Sequence, residues 1–159
     1  MNRFELIIFD CDGTLVDSEY LNNKVSSDLL IEFGLTDYTP KKCIEEFSGK
    51  SWKEIKQILE KRHNVKIPRD IIDRYIINVQ KDMKDLIKSV PHAIEGVCSC
   101  QKDYKICVAS NGERTNVKMS LSMLGFDPYF SDDTIFTKIQ VEQAKPAPDL
   151  FLFAAKTMG

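Results

Sequence analysis

The chain has 159 residues, 43% hydrophobic and 29% charged, the profile of an ordinary soluble globular protein made of one domain or of a core with an inserted module. Its 22 basic residues nearly balance 24 acidic ones, which argues against nucleic acid or an anionic membrane as a partner. No apolar run is long enough to span a bilayer, and Met1-Asn2-Arg3 leads straight into a strand-like run, leaving no room for a signal peptide.

Residues 5–9 form the first predicted element, a short apolar run that reads as a strand buried on both faces, and it ends abruptly in Asp10, Asp12 and Asp17. From Ser18 to about Val90 the pattern turns helical. Leu21, Val25, Leu29, Leu30 and Phe33 recur at three- and four-residue steps until Gly34. Amphipathic segments follow at 42–47, at 52–62 (Ile55, Ile58, Leu59) and at 70–86 (Ile71, Ile72, Tyr75, Ile76, Val79, Met83), with connectors at 48–51 and 64–69. After Pro91 a strand-helix rhythm returns: a buried-type strand at 105–110, a helix from Glu113 to Leu124 closed by Gly125, a short strand at 135–137, and a last helix after Lys-Pro-Ala-Pro. The fold class is therefore α/β, a Rossmann-like parallel sheet core with an inserted all-helical cap. Residues 1–16 and 91–159 belong to the core and 17–90 to the cap.

Cys11, Cys43, Cys98, Cys100 and Cys107 are odd in number and scattered, and His63 and His92 show no ligand spacing. Free thiols in a reducing, cytoplasmic compartment are expected, with no disulfide framework or zinc site.

In open parallel sheets ligands bind beyond the carboxyl ends of strands. Asp10 ends the first strand, Asp12 lies in the loop leaving it, Ser110 and Asn111 end the second long strand, and Lys145 precedes the last helix. Two adjacent carboxylates repel each other and raise one pKa unless a cation intervenes, and hard oxygen donors suit Mg²⁺. A phosphate suits the hydroxyl, the amide donors and the ammonium. An EF-hand reading of Asp-x-Asp-Gly fails, because a strand precedes it and Leu21 stands where the bidentate glutamate belongs. A phospho-receiver module needs its acceptor Asp on a middle strand and has no large helical insert.

Three segments, "FDCDGTLVDSE", "ASNG" and "KPAPDLF", resemble the first three motifs of the haloacid dehalogenase-like hydrolases, in the family's order and covering essentially the whole chain. The closest likeness is to the phosphogluconate-phosphatase and β-phosphoglucomutase-like branch. The resemblance implies a Mg²⁺-dependent phosphatase acting on a small phosphorylated metabolite, a sugar phosphate. Asp10 would be the nucleophile that becomes an aspartyl-phosphate and Asp12 the general acid and base, with Mg²⁺ on the Asp10 carboxylate and the Asp12 backbone carbonyl. Ser110, Asn111 and Lys145 would bind phosphate. Gly49, Lys50 and Trp52 fall where the family's cap loop meets the substrate, although Lys50 also reads as a solvated helix-entry residue. A β-phosphoglucomutase-like phosphomutase is the enzymatic alternative.

The family pattern includes a fourth motif of acids after a further strand, and no acid beyond Lys145 fits it, since Asp149 opens a helix. The expectation is a core lacking its last strands, a Mg²⁺ site lacking its third protein ligand, and weak or absent activity. The alternative to an enzyme is then an inactive truncated homologue that only binds phosphate or oligomerises. An unpaired first strand would be a template for self-association.

Overall fold

A computed structural model describes residues 4–159. In chain order the elements are β1 (Leu6–Phe9), β2 (Val16–Asp17), α1 (Glu19–Glu32), α2 (Pro40–Phe47), α3 (Trp52–His63), α4 (Ile71–Leu86) and β3 (Lys88–Ser89). Then come α5 (Ala93–Gln101), β4 (Lys105–Ser110), α6 (Arg114–Met123), β5 (Ile135–Thr137) and α7 (Asp149–Met158). They divide into two compact units, one running up to Ser18 and resuming at Ile87–Gly159, the other Glu19–Leu86.

The first unit is built on a parallel sheet whose order among the described residues is β1-β4-β5. Side chains alternate across it, as a period of two requires. Ile106, Val108 and Ile135 point into one cluster with Val97 of α5, Val117 and Leu121 of α6, and Phe126 and Phe130. Cys107, Ala109 and Phe136 point the other way, against Leu150 and Ala154 of α7. Helices on both faces explain why β4 is buried at every position after Lys105 and reads as a continuous apolar run. β1 is only half-buried along its length, whereas its apolar pattern predicts full burial. It is an outer strand of the described sheet, so β4 covers one of its edges only.

The loop after β1 turns back on itself: the Cys11 carbonyl accepts hydrogen bonds from Leu15 N (2.8 Å) and Val16 N (3.0 Å). That turn delivers β2 to pair antiparallel with β3, Asp17 opposite Lys88. Asp17, the third of the acids that follow β1 in sequence, lies in this ribbon two residues before α1.

The second unit is the four-helix module α1 to α4. Its buried side chains include Leu21, Val25, Leu29 and Leu30 of α1, Cys43 and Phe47 of α2, Ile55 and Leu59 of α3, and Ile71, Val79 and Met83 of α4. Ile72 is exposed instead, on the far side of α4. α1 ends where Gly34 takes φ +80°, a conformation a Cβ disfavours, and Leu35 N then reaches the Leu30 carbonyl at 3.0 Å. Thr39 caps α2 by accepting Lys42 N–H, with Pro40 in the first turn. Ser51 and Glu54 form a reciprocal capping box at α3. The connector before α4 contributes to the core through Ile67, whose carbonyl takes the Lys56 ammonium at 2.7 Å.

Candidate active site

Parallel pairing sets the geometry. Phe9 pairs with Val108, so Asp10 leaves β1 at the level where β4 runs into Ala109 and Ser110. Both hydrogen bonds to the Asp10 carboxylate fall on Oδ1, from Cys11 N–H (2.7 Å) and from the Lys145 ammonium (2.6 Å). No described protein donor reaches Oδ2. The Lys145 side chain is 15% exposed and that of Asp10 46%, so a largely sheltered cation holds a half-exposed carboxylate.

Asp12 is held from a different direction. Ser18 Oγ, buried in the first unit, donates to Asp12 Oδ1 at 2.5 Å, and Ser110 Oγ lies 3.5 Å from Oδ2, a long contact. Ser110 Oγ in turn accepts the Gly112 amide at 2.9 Å, which leaves its own proton to be donated. Asp10, Asp12, Ser110, Asn111 and Lys145 are thus brought together at the ends of β1 and β4, Asp10 and Asn111 bonded to Lys145 and Asp12 in contact with Ser110.

Asn111 does something that its place in the sequence does not reveal. Its Oδ1 accepts the Lys145 N–H at 2.9 Å and its Nδ2 donates to the Lys145 carbonyl at 2.8 Å. The Lys145 ammonium also donates to the Ala109 carbonyl at 2.9 Å and stands 5.6 Å from the Phe151 ring centroid. Between the two acids, burial and then the charge of Asp12 push the Cys11 thiol far above its ordinary range, so it stays protonated and unreactive at neutral pH.

Gly49, Lys50 and Trp52 belong to the helical unit. Gly49 and Lys50 are exposed, and the Lys50 ammonium is 2.8 Å from the Glu46 carbonyl. Trp52 is 7% exposed, packs against Tyr75 with ring centroids 5.5 Å apart, and has no hydrogen-bond partner for its indole N–H among the described residues. Sequence reasoning missed Ser18, the Ala109 carbonyl and Phe151. A serine six residues after Asp12 at a helix entry carries no signal beyond that of an ordinary cap.

Among the described residues no group of three or more His, Cys, Asp or Glu side chains converges as a metal site. The strand end offers a hard cation the Asp10 carboxylate and the main-chain carbonyl of Asp12. That hard-oxygen pair fits Mg²⁺, which keeps several waters and binds through one or two carboxylates plus substrate phosphate.

The chain matches the haloacid dehalogenase-like hydrolase family over residues 7–159. It is 32% identical over 161 residues to the 6-phosphogluconate phosphatase of Escherichia coli (strain K12), covering 100% of this chain and 71% of that protein. To the fructose-1-phosphate phosphatase of the same organism it is 27% identical over 157 residues, covering 99% and 81%. Among solved structures it is similar to a conserved haloacid dehalogenase-like protein from Agrobacterium tumefaciens, with 30% identity, a TM-score of 0.79, and 98% and 69% of the two chains covered. With that match spanning both the strand-end acids and the Lys-Pro segment, the chain belongs to the haloacid dehalogenase-like hydrolases.

Proposed function

We propose that the chain hydrolyses small phosphomonoesters, sugar phosphates in particular, through a phospho-enzyme on Asp10. The observation that carries the reading is the one-sided anchoring of Asp10: Lys145 and the Cys11 amide hold Oδ1, and Oδ2, with no described donor, is the oxygen available as nucleophile. Asp10 attacks phosphorus in line with the leaving alkoxide, which takes a proton from Asp12. Asp12 then removes a proton from the water that cleaves the aspartyl-phosphate, so the enzyme returns to its starting state. Lys145 and the Ser110 hydroxyl donate to phosphate oxygens as charge develops on them. When bound, Mg²⁺, held by the Asp10 carboxylate and the Asp12 carbonyl, supplies charge neutralisation of the transferring group.

The substrate class is supported by the two Escherichia coli relatives, whose names are those of sugar-phosphate phosphatases. In this reading the helical unit serves as the cap, with Gly49 and Lys50 of its 48–51 connector as the candidate substrate contacts, while Trp52 is buried against Tyr75 and supports that connector from within the unit. The five free cysteines fit a reducing, cytoplasmic setting.

The test is phosphate release from 6-phosphogluconate and fructose 1-phosphate with Mg²⁺. Asp10→Asn is expected to lower kcat by at least about a thousandfold, the scale on which loss of a nucleophile acts. Activity retained in that variant would remove Asp10 as nucleophile. A wild-type chain no faster than Asp10→Asn would overturn the phosphatase reading of this chain, and isomerisation of a sugar phosphate without phosphate release would replace it with a mutase.

A further inference from the structure

We propose that Asn111 is a positioning residue for Lys145 and not a phosphate ligand, an inference that rests on the Asp10 phosphotransfer reading above. A side-chain amide can mimic the donor and acceptor pattern of a peptide group, and here its oxygen and one of its two N–H donors go to one residue 34 positions away, accepting from the Lys145 N–H and donating to its carbonyl. Lys145 lies outside any helix or strand, so no ladder serves its main chain, and Asn111 satisfies both polar groups.

The same strand end also takes the ammonium. Ala109, two residues before Asn111, accepts from Lys145 Nζ at 2.9 Å, and Asp10 Oδ1 accepts at 2.6 Å. Lys145 is therefore fastened at its main chain and at its tip to the end of β4, with its long flexible stem spanning the interval. A lysine stem has four rotatable bonds, and only the fixed main chain makes the Nζ position over Asp10 reproducible. Phosphate contacts then fall to Ser110, whose hydroxyl makes only a long 3.5 Å contact with Asp12, and to Lys145 itself, since the oxygen and one N–H of the Asn111 amide are engaged on Lys145.

Two measurements decide it. The first is a double-mutant cycle on p-nitrophenyl phosphate hydrolysis, with inorganic phosphate as competing ligand, in wild type, Asn111→Ala, Lys145→Ala and the double variant. Asn111→Ala is expected to lower kcat about ten- to a hundredfold, as misplacement of an active-site group does, and to weaken inhibition by phosphate no more than Lys145→Ala does. In the Lys145→Ala background the same substitution is expected to change nothing further. Asn111→Asp keeps the acceptor for the Lys145 N–H and is expected to fall between wild type and Asn111→Ala, which guards against a misfolded alanine variant.

The second measurement needs no turnover: the rate at which an amine-directed acylating reagent modifies each lysine, read by peptide mass spectrometry. Lys145 is expected to react several times faster in Asn111→Ala, with the other lysines and the melting temperature unchanged. Losses that multiply across the cycle, phosphate affinity that falls while kcat holds, or unchanged Lys145 labelling would each overturn the proposal. If the wild type fails to hydrolyse phosphate esters, the phosphatase reading falls, and the labelling still decides whether Asn111 holds Lys145.

Discussion

A Cβ placed on Gly112 would lie 2.8 Å from Val117 Cγ2, 3.1 Å from Ser110 Oγ and 3.5 Å from Asp12 Oδ2. Val117 is a short β-branched side chain in the core of the first unit, unable to swing away as a long flexible one would. The residue after Asn111 is therefore glycine because backbone and strand end approach closely there. Gly112→Ala is expected to cost about 1–3 kcal/mol through overpacking and to lower kcat by roughly tenfold or more, because the displaced group is the Ser110 hydroxyl. Thermal melting and steady-state kinetics on the one variant check both parts. Activity retained at a lowered melting temperature would show that the strain is absorbed on the Val117 side. At this scale the sequence named Asp10, Asp12, Ser110, Asn111 and Lys145, and the fold gathers them at the ends of β1 and β4. Asn111 beside Ser110 reads as a second phosphate donor, and only the placement of Lys145 shows the amide already engaged.

Helix entry in the cap-like unit rests on single residues. α2 is eight residues long, too short to persist on propensity alone, and begins at Thr39, whose hydroxyl accepts the Lys42 amide, with Pro40 fixing the first turn. Removing that acceptor in Thr39→Ala is expected to cost about 1 kcal/mol. Urea unfolding with an unchanged m-value would be the signature, while a change in m would point to a looser helical unit. The elements that sequence reasoning found are those with a local signal: apolar periodicity for α1, α3 and α4, Gly34 and Gly125 as stops, and unbroken apolar runs for β1 and β4. Two were not legible. α5 carries Gly96, Cys98 and Cys100 in a nine-residue span without a clean apolar period. The β2–β3 ribbon is two residues per strand, and its partners lie far apart in the chain.

Buried thiols link the whole molecule to pH. Burial pushes Cys107, at the centre of the sheet, from 9.0 to about 11, and burial followed by the charge of Glu46 does the same to Cys43 in the helical unit. Between pH 9 and 11 these thiols remain protonated in the folded chain and ionise in the unfolded one. The unfolded state then binds fewer protons, so stability falls as pH rises through that window. The thermal midpoint is expected to drop between pH 9 and 11, and to drop less steeply in Cys107→Ala, whatever offset the lost side chain introduces. Parallel slopes for variant and wild type would show that Cys107 does not contribute to the alkaline loss.

The sequence by itself determined what local chemistry can encode: an α/β core interrupted by helices, acids and a hydroxyl at strand ends, a lysine before the last helix, and thiols outside any disulfide. Each follows from residues adjacent in the chain, where apolar period and turn chemistry act directly. The tertiary structure decided how those groups are used. Lys145 reaches Asp10 across 135 positions, Ser110 approaches Asp12 across 98, and Asn111 takes the main chain of Lys145 across 34. Those pairings come from the parallel register of β1 and β4 and the path of the chain after β5, which close contacts between residues that carry no mark of each other in sequence.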